Sequence, residues 1–183
     1  VTLFEAGDKV GGQFNIAKQI PGKAEFEETL RYFKHKLELT GVTVRLNTRA
    51  TADDLAAFDE VLIATGIEPR TPPIEGIEHG KVLSYLDVLK DKKPVGKKVA
   101  IIGAGGIGFD VAEYLTHHEE PAAELIASSK QEFFDEWGVD IALENRAGLK
   151  PQSAVTSPRE IYLLQRKASK VGAGLGKTTG WIH

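Results

Sequence analysis

The sequence predicts an α/β chain in which parallel strands alternate with helices, and three observations carry that prediction. Short apolar runs at 1–4, 42–46, 60–66, 99–102 and 160–165 have the length and composition of strands in a parallel sheet. Phe26, Leu30, Phe33 and Leu37 recur at spacings of four, three and four, which places them on one helical face. Finally, Val99-Ala100-Ile101-Ile102 runs into Gly103-Ala104-Gly105-Gly106-Ile107-Gly108, and an amphipathic helical pattern follows. That order of strand, Gly-x-Gly-x-x-Gly and helix is what a dinucleotide site requires. The fold class is therefore α/β, a Rossmann-like dinucleotide-binding fold whose parallel sheet is flanked by helices.

Each element follows in chain order. Residues 1–4 read as a short buried strand ending at an acid, Glu5, and the glycine-bearing loop Gly7 to Gln13 comes next. Pro21-Gly22 precedes the helix that carries Phe26 to Leu37, and Gly41 is placed to stop it. Residues 42–46 alternate as a strand does. Thr51-Ala52-Asp53-Asp54 has the form of a helix cap or a turn, and 60–66 reads as another buried strand. Pro69, Pro72 and Pro73 stiffen the chain into an extended passage. A short helix is expected from Ser84 through Leu89, then a polar linker over 90–98. The helix after the glycine loop should run to about His117. A plain mononucleotide-binding unit reaches its second strand about 20 residues after its loop. Here the next good strand is 160–165, so 119–158 reads as an insertion, and its Phe133, Phe134 and Trp137 are expected to pack on the same domain. The expected organisation is two α/β segments, 1–95 and 96–183. With no Met, and with its first residues already in a strand, the chain reads as truncated at both ends.

Composition narrows the chemistry. The net charge of −3 gives no nucleic-acid footprint. The absence of Cys removes disulfides, thiolate metal sites and iron–sulfur ligation from this chain. No apolar run reaches the roughly 20 residues of a membrane span, and no signal-peptide pattern is present, so a cytoplasmic protein is expected. His117-His118-Glu119-Glu120 is a possible metal cluster by residue type, but it reads better as a solvated helix end.

Within the glycine loop, Gly103 permits the tight turn, Gly105 lets the backbone approach a pyrophosphate, and Gly108 lets helix and strand pack closely. Gly106 and Ile107 open the helix, whose N-terminus offers unpaired N–H groups to phosphates. At the end of the second strand, sites that prefer NAD hold an acid for the ribose hydroxyls. Gln165-Arg166-Lys167 stands there instead, with Ser169 and Lys170 after it. Two cations could take a 2′-phosphate, which favours NADP; a solvated basic turn is the alternative. Glu5 ends its strand as a ribose-binding acid would, but no glycine loop precedes it here, and an ordinary surface acid fits equally. The run from Gly172 to Thr179 resembles a P-loop, yet only three residues separate Gly172 from Gly176, so ATP binding is not expected. No nucleophile–base pair or paired carboxylates stand out, so no catalytic residue and no metal ligand is assigned.

Taken together, Val1 to Glu5, Gly11-Gly12-Gln13-Phe14-Asn15-Ile16-Ala17, Pro21-Gly22-Lys23, Ala64-Thr65-Gly66 with Pro69-Arg70, Gly103 to Gly108 and Leu164-Gln165-Arg166-Lys167 resemble the C-terminal part of bacterial NADPH-dependent 2,4-dienoyl-CoA reductases. These enzymes are iron–sulfur flavoproteins related to trimethylamine dehydrogenase, and the resemblance runs along essentially the whole chain. It implies a cofactor-binding fragment of an oxidoreductase of unsaturated fatty-acid metabolism, which takes hydride from NADPH onto FAD. FMN, a [4Fe–4S] cluster and the dienoyl-CoA site would belong to a flavin barrel of the same polypeptide, absent from this sequence. By likeness, Glu5 binds the FAD ribose, Gly11, Gly12, Gln13 and Lys23 lie at FAD, and Ala50 meets the adenine with its backbone. Thr65 and Gly66 mark the passage between the two nucleotide-binding parts. Gly103, Gly105, Gly106, Ile107 and Gly108 cradle the NADPH pyrophosphate, and Arg166 and Lys167 take its 2′-phosphate. The FAD site would be incomplete, and the fragment alone would not reduce dienoyl-CoA. A stand-alone NADP-binding sensor is the other reading of the same residues.

Overall fold

The computed structural model describes residues 1–117, 125–153 and 156–176. It divides into two compact units, Val1–Pro94 and Val95–His183.

The first unit is built on a parallel strand pair. Strand β1 (Thr2–Phe4) lies beside β2 (Thr43–Arg45), with Leu3 opposite Val44. Parallel neighbours need a crossover, and helices supply it: α1 (Phe14–Ala17) and then α2 (Phe26–Leu39). The two helices meet through Phe14 and Phe26, whose rings stand edge to face at 4.9 Å. Ile20 and Leu30 are buried beneath them. Gly41 ends α2 in the left-handed conformation, φ +68°, and Val42 N–H returns to Leu37 O at 3.0 Å. The predicted apolar face of α2 is only partly covered, because Leu30 is buried while Phe33 is exposed and turned against Tyr32. Two short helices complete the unit, α3 (Ala52–Leu55) and α4 (Tyr85–Leu89). Each starts with a capping box: Thr51 with Asp54, and Ser84 with Asp87. Val88 and Leu89 bury the inner side of α4.

Two expectations fail in this unit. Residues 60–66 form no strand, and Leu62 and Ile63 are 94% and 76% exposed. Their composition suits a strand, but among the described residues β1 pairs with β2 alone, and a strand without a ladder partner is only extended chain. Residues 1–4 are not buried: Val1 and Leu3 are exposed and Thr2 and Phe4 half-buried, since a two-stranded sheet covers little of either face.

The second unit repeats the plan with a longer ladder. Strand β3 (Lys98–Ile102) pairs in parallel with β4 (Glu160–Leu164) over five residues, from Lys98 opposite Glu160 to Ile102 opposite Leu164. Helix α5 (Gly106–Thr116) packs on both strands, with Val111 and Leu115 buried against them. Burial alternates along β3 and β4, and Ile102 is 70% exposed. The run at 99–102 is therefore covered on one face, not on both. At the C-terminal end of α5, Arg159 donates to Leu115 O at 3.2 Å, which satisfies a helix-end carbonyl.

Between α5 and β4 the insertion holds α6 (Leu125–Glu136), the bridge between Val139 and Leu149, and a 3-10 turn, Arg146–Gly148. Asp140 organises it. Buried at 7% exposure, it accepts from Asn145 N–H at 2.7 Å, Asn145 Nδ2 at 2.9 Å and Ala142 N–H at 3.1 Å. These donors, Asn145 N–H first, hold its carboxyl below the usual range. Phe133 and Trp137 do not pack inward as expected; they are 53% and 60% exposed and stand against one another with ring centroids 6.0 Å apart. Residues 118–120 of the His-Glu cluster, and 177–183 with the end of the P-loop-like run, lie outside the described residues. Among those described, no cluster suits a metal ion and no helix is long and apolar enough to cross a membrane.

Candidate functional site

In the second unit the site is built at the C-terminal end of the β3–β4 pair, where open α/β sheets bind ligands. β3 ends at Ile102, and the chain turns at Gly103 with φ +122°, a conformation that L side chains rarely adopt. Gly103 N–H donates to Leu164 O at 2.8 Å, so the turn is hydrogen-bonded to the last residue of β4. Gly105 is the N-cap of α5, and Phe109 N–H returns to Gly105 O at 3.1 Å. The N–H groups of the first turn, including those of Gly106, Ile107 and Gly108, have no partner within the helix and carry its positive dipole end.

The three glycines of the loop differ in what they meet. A Cβ on Gly108 would lie 1.8 Å from Gly103 O and 3.5 Å from Leu163 Cδ1, so helix, loop and β4 close on that position. A Cβ on Gly105 or Gly106 would meet nothing within 4 Å. The loop is thus tight beneath and open above, which fits a pyrophosphate lying on the backbone of Gly105 and Gly106.

The turn after β4 carries the cations. Arg166, Lys167, Ser169 and Lys170 are exposed, whereas Gln165 is half-buried. Gln165 Nε2 donates to Lys167 O at 2.9 Å and also to Ser169 O. Further on, Ala173 N–H and Leu175 N–H close turns onto Lys170 O and Gly172 O at 3.1 and 2.9 Å. Gly172, φ +81°, leaves only 3.2 Å between a built Cβ and Phe109 Cζ. The loop is therefore seated on the first turn of α5, beside the glycine loop. The bonds from Gln165 are the feature that sequence reasoning missed. A glutamine following a strand reads simply as the lack of an acid, and nothing in the residue types announces its two acceptors.

In the first unit the corresponding strand end gathers Glu5 and the segment after β2. Gly7 N–H donates to Glu5 Oε1 at 2.7 Å. Thr48 N–H donates to Glu5 O at 2.9 Å, and Asn47 N–H to Gly7 O at 2.8 Å. Ala50 thus stands two residues from the backbone pairing that holds Glu5. An acid at a strand end with extended backbone beside it suits the ribose and adenine end of a flavin nucleotide. Gly11 has a packing reason to be glycine, because a Cβ there would lie 2.3 Å from Leu30 Cδ2. Gly12, φ +44°, faces open space, Gln13 is the N-cap residue of α1, and Lys23 N–H donates to Ile20 O at 3.0 Å. Thr65 and Gly66 stand exposed in the ladder-free segment, Gly66 with φ +76°.

Residues 1–142 match the family model described as pyridine nucleotide-disulphide oxidoreductase. The match takes in both strand ends with Glu5 and the glycine loop, and stops before β4 and its turn. The chain is 34% identical to a metal reductase of Desulforamulus reducens over 118 residues, 61% of this chain and 18% of that protein. It is 39% identical to a cinnamate reductase of Clostridium sporogenes over 118 residues, 63% of this chain and 17% of that protein. It is also 39% identical to an NADH oxidase of Thermoanaerobacter brockii over 121 residues, 63% of this chain and 19% of that protein. The chain thus spans less than a fifth of each of these relatives. Among solved structures, a 2-naphthoyl-CoA reductase in complex with 2-naphthoyl-CoA superposes with a TM-score of 0.60 at 25% identity, over 98% of this chain and 31% of that one.

Proposed function

The chain belongs to the pyridine nucleotide-disulphide oxidoreductase family, and from that premise we propose that it is the NADPH- and FAD-binding part of a larger reductase of unsaturated acyl-CoA thioesters, of the 2,4-dienoyl-CoA reductase kind. The observation that carries the nucleotide preference is the cationic turn 166–170, seated beside the glycine loop with no carboxylate at position 165. Gly105 and Gly106 receive the pyrophosphate on open backbone. Arg166 and Lys167 take the 2′-phosphate, Arg166 in a bidentate contact that a guanidinium makes well. Glu5 accepts from ribose hydroxyls at the other nucleotide, with Gly12, Gln13, Lys23 and the backbone of Ala50 completing what this chain offers to FAD. When bound, nicotinamide and flavin supply the hydride chemistry themselves, so the chain's own residues bind and align, and no acid–base residue is needed. The thioester class is supported by the structural neighbour, which was solved with an aromatic acyl-CoA, and by the resemblance of the motif set. By the same resemblance, FMN, a [4Fe–4S] cluster and the acyl-CoA site would belong to a flavin barrel outside this sequence, and the lack of Cys means that this chain has no thiolate to ligate such a cluster.

Calorimetric titration of the chain with NADPH and with NADH, at one salt concentration, tests the reading. NADPH is expected to bind more tightly by at least about 10-fold, the scale of one charge-assisted contact, and Arg166→Ala is expected to remove the preference. Equal affinities in the unsubstituted chain would return Arg166 and Lys167 to a solvated basic turn and leave NAD as the partner. An NADP-binding sensor would bind equally well but would show no flavin response, so NADPH-dependent bleaching of FAD absorbance in the longer polypeptide separates the two.

A further inference from the structure

We propose that Gln165 is the specificity-determining positioning residue of the nucleotide site: its amide folds the 165–170 turn so that the turn presents cations, not carbonyl oxygens, to a 2′-phosphate. The proposal rests on the NADPH reading above and deepens it.

Three observations point the same way. First, Gln165 continues the period of β4, in which Ile161 and Leu163 are half-buried and Tyr162 and Leu164 exposed. Leu163 lies on the face that meets Gly108, so Gln165 belongs to the α5 side of the sheet, at the strand end where NAD-type sites carry an acid. Second, its Nε2 donates to both Lys167 O and Ser169 O. A primary amide has two N–H donors, and both are used. The negative ends of two carbonyl dipoles are thereby drawn toward Gln165 and neutralised. Third, the far end of the loop has contacts of its own: Gly172 lies close to the Phe109 ring, and Ala173 N–H and Leu175 N–H close turns onto Lys170 O and Gly172 O. A loop held at both ends, with Arg166, Lys167 and Lys170 exposed between them, presents its cations with little further ordering cost, which is the advantage of preorganisation.

The same position then acts twice in discrimination. As glutamine it withholds the acid that would hold ribose hydroxyls and repel a phosphate, and it donates to carbonyls that would otherwise oppose the phosphate. Glutamate has neither property, because an ionised carboxylate only accepts hydrogen bonds.

The test is calorimetric affinity of the full chain for NADPH and for NADH in four forms: unsubstituted, Gln165→Leu, Gln165→Glu and Arg166→Ala, each with a thermal melt. Gln165→Leu is expected to weaken NADPH by about 10-fold or more, the order of one lost charge-assisted contact, with NADH affinity unchanged and the melt lowered by only a few degrees for the lost turn hydrogen bonds. Gln165→Glu is expected to go further and reverse the preference. A merely structural role would weaken NADPH and NADH alike, and that result would overturn the proposal. Retention of the full NADPH preference in Gln165→Leu, while Arg166→Ala loses it, would overturn the role of Gln165 and leave the NADPH reading standing. No preference in the unsubstituted chain would overturn both.

Discussion

At Gly108 a single methyl group would sit 1.8 Å from Gly103 O, while at Gly105 it would meet nothing within 4 Å. One position is glycine for the fold and the other is free to be glycine for a ligand, and substitution separates them. Gly108→Ala is expected to destabilise the second unit by about 1–3 kcal/mol, the usual cost of overpacking, and to weaken nucleotide binding with it. Gly105→Ala, with φ −94° that any residue adopts, is expected to cost within about 1 kcal/mol of stability and yet to weaken NADPH by about 10-fold or more, because the methyl group stands where phosphate oxygens approach. Urea melts and calorimetry on the two variants check this; an unaffected NADPH affinity in Gly105→Ala would remove the pyrophosphate from that backbone. This division was partly legible in the sequence, since Gly-x-Gly-x-x-Gly between an apolar run and a helix states what each glycine permits. Gln165 was not legible, because its role lies in which carbonyls the folded turn brings within reach of its amide.

Two helix starts were readable, for a local reason: Thr51 and Ser84 each stand three residues before an acid, and both close capping boxes; the helices at Phe14–Ala17 and Leu125–Glu136 carried no such signal. Ser84→Ala is expected to cost about 1 kcal/mol at neutral pH. The Lys93 ammonium, and then the Ser84 hydroxyl, hold the Asp87 carboxyl below the usual aspartate range. A carboxyl with a lowered folded pKa adds stability above the unfolded value and loses it as pH falls through the folded one. The gap between Ser84→Ala and the unsubstituted chain should therefore narrow below about pH 4, which denaturant melts at stepped pH would show. A gap that persists into strong acid would mean that the hydroxyl caps without the carboxylate. Strand identity was less readable than strand pairing demands. Residues 60–66 have the composition of β3, but composition does not specify a neighbour, and Leu62 and Ile63 remain exposed. Phe33, read on a helical face, and Trp137, read as packing within the insertion, fail similarly: an aromatic side chain announces a need for cover, not what supplies it.

Across the whole molecule, each unit gathers candidate residues at the C-terminal end of one parallel pair, Glu5 at β1 with β2, and the glycine loop with Gln165 at β3 with β4. Order outside those pairs is uneven. Backbone amides of residues 60–73, which belong to no helix or ladder, are expected to exchange with deuterium at near-unstructured rates, while β3, β4 and α5 remain protected. Protection of 60–66 equal to that of β3 would reveal a ladder where none is described.

The parallel register of β3 and β4 has a kinetic consequence. Between Ile102 and Glu160 the chain makes a long excursion through α5, α6 and the turn at Arg146–Gly148, so the contact that ties Gly103 to Leu164 is one of high sequence separation. The entropy of closing that loop must be met before the ladder returns anything. We therefore expect the glycine-loop site to form late in folding, which chevrons recorded with and without NADPH would check. A bound dinucleotide should act on the unfolding limb of the chevron, lengthening the lifetime of the native unit while leaving its rate of formation unchanged.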